Sequence, residues 1–72
     1  MHPLQLLDHL RRRPFIPFRL QLADGSTRDV YHPSDLLLGA EEVTYHPWGR
    51  TEVIRAENIT AVVPVPAPGA PP

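Results

Sequence analysis

Seventy-two residues with ten prolines and no cysteine make at most one small domain. Seven arginines and no lysine face eight carboxylates and four histidines, and the net charge of −1 excludes the general basic field of a protein that coats nucleic acid. A core of this size buries only about 60 % of the surface its unfolded chain exposes, and no disulfide or cysteine-rich zinc spacing reinforces it. Marginal stability, or help from self-association, is the expectation. No run approaches the roughly 20 apolar residues of a membrane span, and Met1-His2-Pro3 lacks a charged start before an apolar stretch, so a cytoplasmic chain with no membrane partner is expected.

Pro3 suits a first helical position. Leu4, Leu6, Leu7 and Leu10 then form a one-sided stripe at helical spacing, closed by Arg11-Arg12-Arg13 and ended by Pro14. So short a helix needs a sheet to lie on. Phe18, Leu20 and Leu22 alternate with Arg19, Gln21 and Ala23, a half-buried strand stopped by Asp24-Gly25. A two-residue loop there would put Asp29 and Thr27 on the leucine face. A three-residue loop, Ala23-Asp24-Gly25 with the glycine left-handed, puts Val30 there and leaves Arg28 near the rim with its stem snorkelling, and this register is preferred.

Ser34-Asp35-Leu36-Leu37-Leu38-Gly39 reads as one helical turn or a bent strand, and periodicity does not separate the two. Glu42 to His46 is a strand with Val43 and Tyr45 on one face, Pro47-Trp48-Gly49-Arg50 a turn, and Thr51 to Arg55 the returning strand. Ile59 to Val63 is the last strand, with Ile59, Ala61 and Val63 sharing a face. The sum is a mainly β fold with one N-terminal helix over residues 1–63, a small strongly bent antiparallel sheet or five-stranded barrel of the Sm-like or SH3-like kind. Residues 64–72 form a disordered proline-rich tail with no basic residue beside its prolines, which argues against a ligand for an SH3-type groove.

Ser34 lies between His32 and Asp35, but triad members meet by folding and not as neighbours on one extended stretch, so Ser34 reads as a cap. There is no cysteine nucleophile, no lysine for a Schiff base and no glycine-rich phosphate cradle. A chain this short is not expected to enclose the usual pocket of several hundred Å³. The expectation is therefore no enzyme, no cofactor and no small-molecule substrate. Tyr31-His32-Pro33 and Tyr45-His46-Pro47 place two imidazoles at strand ends, yet neither has helical i, i+4 or His-x-His spacing, and no metal site is expected. Trp48, with Arg50 two residues on, either folds back over Tyr45 as a lid, the preferred reading, or stands out as an anchor for a partner or a stacking platform for a base.

The run Pro14-Phe15-Ile16-Pro17-Phe18-Arg19-Leu20, followed by Asp24-Gly25, Val30, His32-Pro33 and Ile59-Thr60, resembles short bacterial proteins sharing a PFxPFxxxLxDG…VxHP pattern. That resemblance supports the order of elements and brings no activity. Leu22-Ala23-Asp24-Gly25 and Ile54-Arg55-Ala56-Glu57-Asn58-Ile59 resemble the two motifs of the Sm-like small barrels, the class of Hfq and the Sm proteins, with Ala56 where the second motif has glycine. The likeness implies Arg55 and Asp35 as RNA-contact positions, and a ring in which Thr51–Arg55 of one subunit pairs with Ile59–Val63 of the next. Two functions follow as expectations. One is a protein-interaction or assembly module using Trp48 or the edge strands; the other is an RNA-binding ring subunit with Arg19, Arg50 and Arg55 on one rim.

Overall fold

The computed structural model describes residues 2–65. The chain begins with a 3-10 turn, Pro3–Leu6, that runs into the short helix α1, Leu7–Arg11. His2 caps the turn reciprocally: its Nδ1 accepts from the Leu4 N–H at 3.1 Å while its own N–H donates to Gln5 Oε1 at 2.8 Å. Leu6 is buried and Leu10 packs on the core, but Leu4 is exposed, so only part of the expected leucine stripe faces the sheets, because the first turn is 3-10 and the α-helix only five residues long.

Six strands follow: β1 Phe18–Leu22, β2 Thr27–Val30, β3 Leu36–Leu38, β4 Glu42–Tyr45, β5 Glu52–Arg55 and β6 Ile59–Pro64. They form two three-stranded antiparallel sheets, ordered β2-β1-β6 and β3-β4-β5, that do not close into one continuous ladder. The ambiguous leucine run thus divides, with Pro33–Asp35 a 3-10 turn and Leu36–Leu38 a strand paired with β4. Pairing of Phe18 with Val30 and of Leu20 with Arg28 places Val30 on the buried face. The loop closes through Leu22 N–H to Ser26 C=O at 2.9 Å around a left-handed Gly25 (φ +89°), which is the three-residue register.

One face assignment differs from simple alternation. Between Gln21 and Leu22 the β1–β6 register shifts: Gln21 faces Ala61 and Leu22 faces Ile59, leaving Thr60 as an extra residue. The bulge reverses the faces of β6, so Val62 joins Ile59 against the core and Ala61 turns to the side of exposed Gln21. β6 also runs to Pro64, opposite Phe18, and the Val65 N–H reaches Pro17 C=O at 3.2 Å, so the ordered chain passes the boundary expected at residue 63. The remainder of the expected tail lies outside the described residues. Leu6, Phe18, Leu20, Val30, Leu36, Val43, Ile54 and Ile59 make one core between the sheets and the helix. No helix among the described residues is long and apolar enough to cross a membrane.

Candidate functional site at the Trp48 turn

β4 and β5 are joined by Pro47–Gly49, and here the backbone is unusual. Trp48 has φ +50° and Gly49 φ +79°, two successive left-handed residues. For glycine this conformation is ordinary, whereas for a bulky aromatic it is strained by about 1–3 kcal/mol. The result is an indole that leaves the domain and is 96 % exposed. The lid reading therefore fails: an indole this exposed covers no neighbour, and the Tyr45 hydroxyl donates to the Asp29 C=O instead.

Beside this turn lies a cleft of about 760 Å³, lined by Thr27, Arg28, Asp29, Tyr45, Pro47, Arg50, Thr51 and Glu52. It is an open cleft and not the enclosed pocket that a chain of this length was expected to lack, and its lining comes from β2 and from the β4–β5 segment. Polar contacts tie the walls together. Arg28 shares a face with Val30 and Glu52 shares a face with Ile54, so both point inward from different sheets and meet in a two-pronged ion pair at 2.7 and 2.9 Å. Arg28 also donates to Thr27 C=O at 2.8 Å, so it ends on Glu52 rather than in solvent. Arg19 holds Asp29 in the same two-pronged way, at 2.7 and 3.2 Å, across β1 and β2. The Tyr31 hydroxyl donates to that carboxylate at 3.2 Å, and the Tyr45 hydroxyl donates to Asp29 C=O at 2.7 Å, a second link between the sheets.

These contacts set the titration of the site. Hydrogen bonds from Arg19 hold the Asp29 carboxyl below the usual carboxylate range, hydrogen bonds from Arg28 do the same for Glu52, and those from Ser26 do so for Asp24. Burial pushes the Tyr45 phenol up. A carboxyl whose pKa is depressed by folding adds stability above its unfolded value of about 4, and that stability disappears as pH falls through the lower folded value. The urea midpoint is accordingly expected to be level near neutrality and to drop below about pH 4. Asp29→Asn should flatten part of that drop, and an acid limb unchanged in this variant would remove Asp29 from the account.

The remaining residues singled out by sequence disperse. Arg50 lines the cleft two positions from the indole; it makes no ion pair at contact distance among the described residues, but its charge helps to hold the Glu52 carboxyl low. Arg55, at the far end of β5, faces Glu42 across the ladder and contacts Glu57 at 3.4 Å. It lines a second, smaller cleft of about 300 Å³ together with Asp24 and Asn58. Arg19 is committed to Asp29, so Arg19, Arg50 and Arg55 do not act from a common lining. Asp35 contributes backbone, its C=O accepting from the His46 N–H at 2.9 Å and its N–H donating to His32 C=O at 3.0 Å. The two His-Pro segments thus meet through Asp35, while His32 is exposed and His46 Nε2 is buried with no hydrogen-bond partner. Among the described residues no three His, Asp or Glu side chains gather as metal ligands would.

Sequence reasoning passed over Asp29, Tyr31, Tyr45 and Glu52. Arg19 opposite Asp29 follows once the hairpin register is known, because directly opposed residues share a face. Arg28 and Glu52 are 24 positions apart and carry no local signal. The fold and site together define a small mainly β domain with a polar cleft and a fully exposed tryptophan on the turn beside it. Comparison with models of protein families, with curated proteins and with solved structures found no match for the chain.

Proposed function

We propose that this protein is a non-enzymatic small β domain acting as a protein-interaction or assembly module, with Trp48 and Arg50 as its contact residues and the outer strands β5 and β6 available for self-association. The observation that carries this reading is the 96 % exposure of an indole on a left-handed backbone. Such strain persists only where surrounding structure or function maintains it, and tryptophan beside arginine is the composition of an interface hot spot. Two further facts support it. Leu37, Thr44 and Val53 stand in register across β3, β4 and β5, and Leu37 and Val53 are exposed, so the second sheet has an apolar outward row. β5 and β6 each end a sheet and present an unpaired edge to another strand.

The titratable groups lining the cleft are mostly neutralised in ion pairs, which leaves no free acid and base to converge on a substrate. The alternative, an Sm-like RNA-binding ring subunit, is favoured by one observation, an exposed Arg50 two positions from an exposed indole on which a base can stack.

Light scattering over a concentration series, repeated across a salt series with and without a single-stranded RNA, tests the reading. Self-association that salt hardly touches supports the interaction module. RNA binding that weakens steeply with salt, on a closed ring, overturns it in favour of the alternative.

A further inference from the structure

We propose that β5 pairs antiparallel with β5 of a second copy of this chain across a two-fold axis at Val53, joining the two β3-β4-β5 sheets into one. The proposal rests on the interaction-module reading above and names the partner, the edge and the register. It follows from what each sheet edge offers.

In an antiparallel ladder, successive residues of a strand point their backbone groups alternately at one neighbour and away from it. In β2 the bond from Leu22 N–H to Ser26 C=O sets the phase, so Thr27 and Asp29 point outward. Both of their carbonyls are occupied, Thr27 C=O by the Arg28 guanidinium at 2.8 Å and Asp29 C=O by the Tyr45 hydroxyl at 2.7 Å. In β6 the bond from Val65 N–H to Pro17 C=O turns Val62 and Pro64 outward, and a proline has no N–H to give. The bulge at Thr60 breaks the same edge further along. β3 is three residues long and lies against the Pro3–Leu6 turn. Occupied carbonyls, a proline, a bulge and shortness all keep a sheet edge from pairing.

β5 has none of these. The Ala56 N–H donates to Glu41 C=O at 3.0 Å in register with the β4–β5 ladder, so Ile54 and Glu52 point at β4 while Thr51, Val53 and Arg55 point away. All three are exposed, and among the described residues no side chain caps their backbone groups.

This edge is complementary to itself. With Val53 opposite the partner's Val53, Thr51 lies opposite the partner's Arg55 and Arg55 opposite the partner's Thr51, so outward groups meet outward groups along the whole edge. Glu52 then faces the partner's Ile54, and no like charges are opposed. Centring the pairing on Glu52 instead would set two carboxylates against each other, and centring it on Ile54 would run Thr51 into the partner's Glu57, in the Ala56–Asn58 turn. The outer face agrees with the Val53 register. Leu37, Thr44 and Val53 already stand in a row across the sheet, and the 64 % exposed Val53 meeting its symmetry mate continues that row through the axis. Such a contact is isologous and closes at two copies, whereas β5 against β6 would be head-to-tail. It also sets the Trp48 turn, where one β5 begins, beside the Ala56–Asn58 turn, where the other ends.

The full-length chain is followed by light scattering over a concentration series, beside Val53→Lys, Val53→Glu and an equimolar mixture of the two. The wild type should rise to twice the mass of one chain and stop there. Each substitution sets like charges opposite one another at the axis and should move the midpoint about tenfold to higher concentration. In the mixture the opposed charges differ in sign, and most of that shift should be recovered. Amide hydrogen exchange of the wild type reads the same edge with no substitution: the Val53 and Arg55 N–H groups should become protected as the mass rises. A mixture that associates no better than either variant alone overturns the proposal. So do Val53 and Arg55 amides that stay unprotected, a closed ring of more than two copies, or a single chain at every concentration. If Trp48→Ala abolishes association while both Val53 variants associate as wild type does, the interaction-module reading stands and the β5 pairing falls.

Discussion

Phe18→Ala is expected to remove about half of the domain's stability, the largest loss of any single substitution proposed for this chain. Phe18 sits on the central strand of the first sheet, opposite Val30 on one side and Pro64 on the other, and is almost completely buried. Its ring lies 5.2 Å from that of His9 and 6.0 Å from that of Phe15, so the same side chain joins α1, the segment entering β1 and both sheet partners. Truncating a buried phenylalanine costs about 3–5 kcal/mol. A chain of this length has a total stability of only about 4–10 kcal/mol. No disulfide stands in reserve. Far-ultraviolet circular dichroism with a urea titration reads the outcome, and a cooperative transition near the wild-type midpoint would show that the core repacks around the loss.

Trp48→Ala should do the reverse, removing association while leaving the fold intact. The indole has almost no contact to lose on mutation, so the urea midpoint is expected to stay within about 0.5 kcal/mol of wild type, the usual range for surface substitutions. A central aromatic anchor costs at least about 2 kcal/mol on truncation, which corresponds to about thirtyfold in the association constant. Trp48→Gly sharpens the test because it also relieves the left-handed strain. It should be as weak in association as the alanine variant and at least as stable as wild type. Wild-type association by either variant would exclude Trp48 as an anchor, and a large loss of stability would mean that the ring is needed by the fold.

What could be read from the sequence follows the range of the interactions concerned. The β1–β2 hairpin was legible to its register, since Asp24-Gly25 and the position of Val30 lie within a dozen residues and a left-handed glycine restricts the loop. The leucine run 36–38 was not, because its state depends on β4 pairing with it rather than on its own periodicity. In β6, strict alternation assigned Ala61 and Val63 to the face of Ile59; a bulge imposed by pairing with β1 gave that place to Val62. At the site, Trp48 and Arg50 were legible as a pair on a turn, whereas neither the exposure of the indole nor its left-handed backbone carried a local signal. The ion pair of Arg28 with Glu52 and the bond from Tyr45 to Asp29 join segments that meet only after both sheets form.

Thr60 shows how a strand can carry one residue more than its ladder uses. It is exposed, and its hydroxyl makes one bond, to Gln21 C=O at 3.1 Å, so exchange for another polar residue removes little. Its backbone is the extra step that lets Ile59 and Val62 both face inward. Loss of that single codon would remove the bulge and leave Ile59 opposite Leu22, Ala61 opposite Gln21 and Val62 opposite Leu20, the pairs the strand already makes. A scan by substitution and a scan by deletion would therefore both score the site as tolerant, whereas an insertion beside it would have no such slack to use.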